Sequence, residues 1–363
     1  MRGSRPWRYL LLLASLWLGG CESLSYYAQS ANGQLQLLNS ARDIRELLAD
    51  PEVADELKER LHRVQQIRQF AVEQLALPDN DSYQRYADVG REALVWSVIA
   101  APRLQLQAHQ WCYPVIGCAS YRGYFDPHTA HAFAEGLDTE GWDAAVERVP
   151  AYSTLGWFDD PLPSTVIDWP EADLAGLVFH ELAHQRLYAR DDSAFNESYA
   201  TVVEKEGVRR WLRWRQAQQP GAGGVLERWR LAEQRAEQFR ALIGETRARL
   251  ATLYAGEGPE QFKLGRKAQL FAQLQSDYSL LKQSWDGYSG YDRWMQRDLN
   301  NAHLMGLQTY TRWLPALRHL LHGLHGDMQA FHRECEALAE APFDERQARL
   351  RQLQAAAAAL PAD

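Results

Sequence analysis

The segment Leu177-Val178-Phe179-His180-Glu181-Leu182-Ala183-His184-Gln185 concentrates groups that could do chemistry. His180 and His184 are four residues apart. On a helix of 3.6 residues per turn, that spacing stacks both imidazoles on one face. Two ring nitrogens can then reach one metal ion at about 2 Å. Glu181 follows the first imidazole and points beside the metal position. There it can accept a proton from a metal-activated water and pass it to a leaving amine. The H-E-x-x-H pattern predicts one zinc ion held by His180 and His184, with Glu181 as general base. The apolar Leu177, Val178 and Phe179 imply that the rest of this helix is buried.

A third ligand must come from another element. Asn196-Glu197-Ser198-Tyr199-Ala200 opens the next helical segment, and Glu197 lies thirteen residues after His184. A helix, a turn and a second helix of that size can return Glu197 to the metal. Glu204, Glu206, Asp191 and Asp192 are alternatives, although both aspartates follow His184 so closely that a turn claims them. Glu204 lies two turns beyond Glu197 on the same face, where it can hydrogen-bond a ligand histidine.

HELAH followed by N-E-x-x-A resembles the gluzincin metallopeptidases, in which a glutamate of the second helix is the third zinc ligand. A wider set of runs resembles a family of bacterial lipoproteins described as predicted aminopeptidases. These runs are a lipobox, SYYAQSANGQLQLL, WCYPVIGCASYRGYF, AYSTLGWFDDPL, FHELAHQRLY and FNESYATVVEKEG, covering most of residues 21–215. YSGYDRWM and NNAHLMGLQTY extend the likeness more loosely. The resemblance implies that His180, His184 and Glu197 hold zinc, that Glu181 is the base, and that the substrate is a peptide. The interval from His184 to Glu197 is shorter than in thermolysin-like enzymes. The G-x-M-E-N segment with which some aminopeptidases bind a substrate's α-amine is missing. Asp159 and Asp160 remain as candidates for that role.

Hydrolysis also needs a donor for the developing oxyanion. Tyr152, Tyr199, Tyr288, Tyr291 and Tyr310 are candidates. Tyr291 is the expectation, because the nearby Gly287 and Gly290 permit close backbone approach. Residues 151–158 read as a strand at the sheet edge just before the motif helix. An extended peptide could add to such an edge, lined by Tyr152, Ser153, Thr154 and Gly156. His319, His322, His325 and His332 fall at helical spacing and suit a surface face better than a second metal site.

The elements that position these groups read as mainly α (α+β): a zincin-like catalytic core with a small mixed β-sheet, flanked by N- and C-terminal helices. Residues 1–20 form a signal peptide, with Arg2, Arg5 and Arg8 preceding an apolar stretch from Tyr9 to Leu18. Leu18-Gly19-Gly20-Cys21 resembles a lipobox, which implies lipidation of Cys21. Glu22 after the cysteine, by resemblance to lipoprotein sorting in Gram-negative bacteria, implies the inner face of the outer membrane. Residues 21–40 then form a tether and 41–110 an N-terminal helical region, with helices from Ala41 to Leu77 and from Asp88 to Ala100. The core spans 111–215, with strands near 111–116, 121–125 and 151–158, a helix from His128 to Leu137, and helices over 172–189 and 195–215. The C-terminal helical region, 216–363, carries helices over 226–254, 264–286, 291–315 and 317–340, then a fraying tail. Cys112 and Cys118 flank a Pro- and Gly-containing turn and are a candidate disulfide in an oxidising periplasm. Cys335 is left over, buried in a helix. With 39 basic and 47 acidic side chains the net charge is −8, which argues against a nucleic-acid partner. The expected partners are a peptide substrate and a membrane reached through the lipid anchor.

Overall fold

The structure, a computed structural model, describes residues 7–113, 117–152, 154, 158–218, 224–305 and 312–359, with the backbone alone over 7–23. The chain opens with α1 (Trp7–Ser40), β1 (Ala41–Asp43), α2 (Ile44–Ala49), α3 (Asp55–Leu75), β2 (Arg85–Ala87) and β3 (Val95–Pro102). Next come β4 (Trp111–Tyr113), β5 (Gly117–Ala119), β6 (Arg122–Tyr124), α4 (Pro127–Thr139), β7 (Trp142–Val149), β8 (Leu162–Pro163) and α5 (Ser164–Ile167). The helical remainder comprises α6 (Glu171–Arg186), α7 (Ser193–Gln218), α8 (Val225–Ala255), α9 (Glu260–Ser284), α10 (Asp292–Met295), α11 (Asn301–Met305), α12 (Leu314–Gly323), α13 (Met328–Glu340) and α14 (Phe343–Ala358). The fold is mainly α with small mixed sheets.

Residues 88–100, expected as a helix, instead contain β3, the middle strand of the antiparallel sheet β6-β3-β7. The run from Val95 to Ile99 is apolar except at Ser97 and lacks alternation, because the strand is covered on both faces. Such a run has no period to distinguish it from a helix. Its β-branched and aromatic residues, Val95, Trp96, Val98 and Ile99, were the signal for a strand. A second sheet runs β1-β2-β8, with β2 and β8 parallel. The third is the hairpin β4-β5, closed by the Cys112–Cys118 disulfide. The described part of 151–158 is not a strand, so the expected edge strand is absent there.

Residues 24–40 are not a free tether. On α1, Tyr26 stacks on Tyr113 and lies under Arg122. Gln29 donates to the Gly123 carbonyl at 3.2 Å and accepts from Phe125 N–H at 3.1 Å. Gly33 leaves room for the Phe125 ring, which any Cβ would overlap. The helix therefore docks on β6, and residues 24–40 of the expected tether pack against the rest of the fold.

The principal core joins α3, α6, α7, α12, α13 and α14 around Leu61, Phe70, Leu75, Phe179, Tyr199, Trp211 and Phe331. The helices α8 and α9 form a second cluster through Phe239, Ile243, Phe271 and Tyr278. Buried Lys267 pairs with buried Asp143, which ties α9 to β7. Two expected helices are broken. The span 291–315 splits because Asn301 turns its side chain onto the carbonyls of Pro102, Arg103 and Gln105 at the end of β3. The span 317–340 breaks at His325 and Gly326, both at positive φ, and Asp327 caps α13 by accepting from Ala330 N–H at 3.0 Å. The alanine tail stays helical through α14 to Ala358. Cys335 is a buried thiol in α13, as its setting suggested.

Candidate active site

Tight packing between α6 and α7 positions the candidate ligands. At their crossing Gly207 lies under Phe179: a Cβ there would stand 2.6 Å from the ring and 2.7 Å from Leu75. Glu171, in the first turn of α6, accepts from Trp211 Nε1 at 2.9 Å and Arg215 Nε at 2.8 Å on α7. The intervening turn is held by polar side chains. Asn196 accepts from Ala189 N–H at 2.7 Å and donates back to the Ala189 carbonyl at 2.8 Å. Asp192 accepts from Phe195 N–H at the start of α7, and its other oxygen takes Arg346 Nε at 2.8 Å and Gln347 Nε2 at 2.9 Å. These contacts fix the residue after Asn196, which is Glu197.

Glu197 faces both histidines. His180 Nε2 and His184 Nε2 are 3.1 Å apart, and Glu197 Oε2 lies 3.3 Å from the first and 3.6 Å from the second. Ligands about 2.0–2.1 Å from a tetrahedral metal are about 3.3 Å from one another, so the triangle has the size that zinc requires. Among the described residues this is the one cluster of at least three histidine, cysteine or acidic side chains with metal-binding spacing. Glu197 Oε2 is buried without a hydrogen-bond partner, and so is His184 Nδ1. A buried carboxylate oxygen left in this way is unusual in a finished fold. Two imidazole nitrogens and one carboxylate form a donor set that suits zinc.

Electrostatics describe a site built for a cation. Burial works against a charged His180, but the close Glu197 carboxylate, the bond to Glu204 and the field of Glu181 outweigh it, and the imidazole is pushed up to about 10. Burial works against a charged Glu197 as well, yet the two histidines hold it down to about 2. The Glu181 carboxyl is raised, first by burial and then by the charges of Glu197 and Asp160, with both histidines opposing. Glu181, Glu197 and Glu204 thus place negative charge around His180, a field that favours a cation there.

A family described as "Putative aminopeptidase" matches residues 25–350. The chain belongs to that family. No curated protein and no solved structure gives a match. The family span runs from the docked part of α1 into α14, so the α6–α7 pair and the C-terminal helices belong to one family architecture.

Other expected residues are distributed as follows. Glu204 Oε2 accepts from His180 Nδ1 at 3.0 Å. Asp192 is committed to Arg346, Glu206 to Arg209 and Arg210, and Asp191 is exposed in the turn. Tyr291 stacks on Phe239 with ring centroids 4.0 Å apart and touches Trp285 and Tyr288 in the α8–α9 cluster. Its described contacts do not include the histidines. Tyr152 hydrogen-bonds Gln34 of α1, and Thr154 donates to Asp160 through its N–H and its hydroxyl, both at 2.8 Å. Ser153, Gly156 and Tyr310 lie outside the described residues. His332 is buried, bonded to Tyr199 hydroxyl and the Leu75 carbonyl, so the expected surface face of four histidines loses one member to the core.

Three tyrosines passed over by the sequence reading lie in the field of the site's carboxylates. Tyr121 and Tyr188 are about half exposed, and the Glu197 charge acts on both. Tyr83 is buried, and the charges acting on it are those of Glu181 and Asp160. Tyr188 could have been noticed four residues after His184. Tyr121 and Tyr83 carry no such local signal.

Proposed function

We propose that this protein is a zinc peptidase that acts as an aminopeptidase on periplasmic peptides. In this reading it is tethered by a lipidated Cys21 to the inner face of the outer membrane. The observation that carries the reading is the triangle of His180 Nε2, His184 Nε2 and Glu197 Oε2, with edges of 3.1, 3.3 and 3.6 Å. Three protein ligands leave a fourth position for water or substrate, which suits a catalytic zinc and not a structural one. Zinc, when bound, supplies Lewis acidity and brings a water's pKa toward neutrality. Glu204 accepts the Nδ1 proton of His180, which leaves the Nε2 lone pair directed at the triangle. Glu181 accepts the proton of the attacking water and delivers it to the departing amine. Tyr121 and Tyr188, at the rim, replace Tyr291 as candidate donors to the oxyanion.

Family membership supports a peptide substrate. The Cys112–Cys118 disulfide supports an oxidising compartment, as the signal peptide and lipobox do. The test combines metal analysis with hydrolysis of aminoacyl arylamides and quenched peptides, bearing free or blocked N-termini. Wild type and Glu181→Gln should both retain one zinc. Hydrolysis of free-amine substrates should fall roughly 10²- to 10⁴-fold in the variant. An unchanged rate in Glu181→Gln would reject the mechanism. Activity confined to blocked substrates would indicate an endopeptidase or amidase of the envelope. Retained zinc with no hydrolysis in the wild type would indicate a binding lipoprotein with a structural metal.

A further inference from the structure

The loop from Pro78 to Tyr83 is clamped against the helix that carries the histidines. Arg68, buried on α3, donates to the carbonyls of Pro78 at 3.2 Å, Ser82 at 2.9 Å and Asn80. From the other side, Gln185 accepts from Asn80 Nδ2 at 2.7 Å and donates to Ser82 Oγ at 3.1 Å. Gln185 is one helical turn beyond Glu181, so the two side chains share a face of α6. The residue after Ser82 is Tyr83, whose N–H donates to the Asp160 carbonyl at 2.7 Å.

Three features coincide at Tyr83. Its φ is +61°, a left-handed backbone that a bulky aromatic residue adopts only when its surroundings impose it. Its side chain is 1 % exposed. Its hydroxyl is buried without a hydrogen-bond partner among the described residues. Phenylalanine would fill the same core space and leave nothing unpaired, so packing does not account for the hydroxyl. The charged neighbours acting on that hydroxyl are Glu181 and Asp160. Asp160 is already held by Thr154.

We propose that Tyr83 is a positioning residue for the general base. Its hydroxyl donates to the Glu181 carboxylate in the metal-loaded site and holds that carboxylate where it can meet the attacking water. The inference rests on reading Glu181 as the base of a zinc peptidase. It explains why strain and an orphaned donor are both kept at one buried position beside the catalytic helix.

The test uses the full chain, stripped of metal and reloaded with zinc. In Tyr83→Phe, kcat should fall about tenfold or more with KM within about twofold, since a hydrogen bond to a charged group is lost where it serves the reaction. In a Glu181→Ala background the same substitution should change the residual rate by less than about twofold, because its effect passes through that carboxylate. A readout independent of activity is thermal unfolding. Stripped Tyr83→Phe should be at least as stable as stripped wild type. Zinc should raise the Tm of wild type more than that of the variant, because only the wild-type hydroxyl gains a partner on loading. An unchanged kcat, an equal loss in the Glu181→Ala background, or an equal zinc-induced Tm rise would each overturn the proposal. Wild type without zinc-dependent hydrolysis would instead defeat the proposed function and the inference with it, while the Tm comparison would still show whether the Tyr83 hydroxyl gains a partner on loading.

Discussion

Replacing Glu204 with glutamine keeps an acceptor opposite His180 Nδ1 and removes its charge. In the native site that contact is 3.0 Å long, and the Glu204 side chain is about one-third exposed at 32 %. A hydrogen bond to a charged partner exceeds a neutral one by about 1 kcal/mol, and water screening at the exposed side trims this. Zinc binding should therefore weaken about three- to fivefold in Glu204→Gln, since 1.4 kcal/mol corresponds to about tenfold. Glu204→Leu removes the acceptor as well, so the imidazole loses the partner that fixes its tautomer. Outer-shell losses of that kind typically cost 10- to 100-fold in metal affinity. A competition titration against a chromogenic chelator at pH 7.5 measures both. The order wild type, glutamine, leucine is the expected result. Affinities within twofold of one another across all three would refute the assignment of Glu204 as the partner that orients His180.

Two further outcomes concern the scaffold. Burial, reinforced by Arg186 and opposed by the bond to Leu75, lowers His332 to about 4 against an ordinary 6.5. The unfolded chain then binds the extra proton, so stability is full above pH 6.5 and is lost as pH falls toward 4, by roughly 3 kcal/mol in all. Urea unfolding at pH 7.5 and pH 5 should show a smaller loss in His332→Gln than in wild type, and identical losses would contradict the linkage. In Gly207→Ala the new methyl meets Phe179 at 2.6 Å and Leu75 at 2.7 Å. Overpacking costs about 1–3 kcal/mol against a helix-propensity gain of about 1 kcal/mol. Its Tm should fall, and a rise would show that the α6–α7 crossing is looser than described.

Much of the helical frame was legible because it rests on local period. The helices α6, α7, α8 and α9 follow apolar recurrences every three or four residues, and α6 also carries the histidine pair. Strand β3 was misread because burial on both faces erased its alternation. The helix expected over 291–315 broke at a tertiary demand, the capping of strand-end carbonyls by Asn301. Segment 24–40 read as a tether because its local pattern names no partner. It docks through Tyr26, Gln29 and Gly33, whose partners lie about a hundred residues away.

The same division runs through the site. His180, Glu181 and His184 are related by the pitch of one helix, a property of the backbone that four residues of sequence determine. The return of Glu197 depends on the turn staples of Asn196 and Asp192, and the meeting of Glu204 with His180 on the close crossing at Gly207. Tyr83 and Asp160 sit on separate loops joined by the bond from Tyr83 N–H to the Asp160 carbonyl, and Tyr291, promising in its glycine-rich run, packs in another cluster. Contacts between elements arise from side-chain volumes and buried polar pairing summed over the folded chain, and no local pattern encodes that sum.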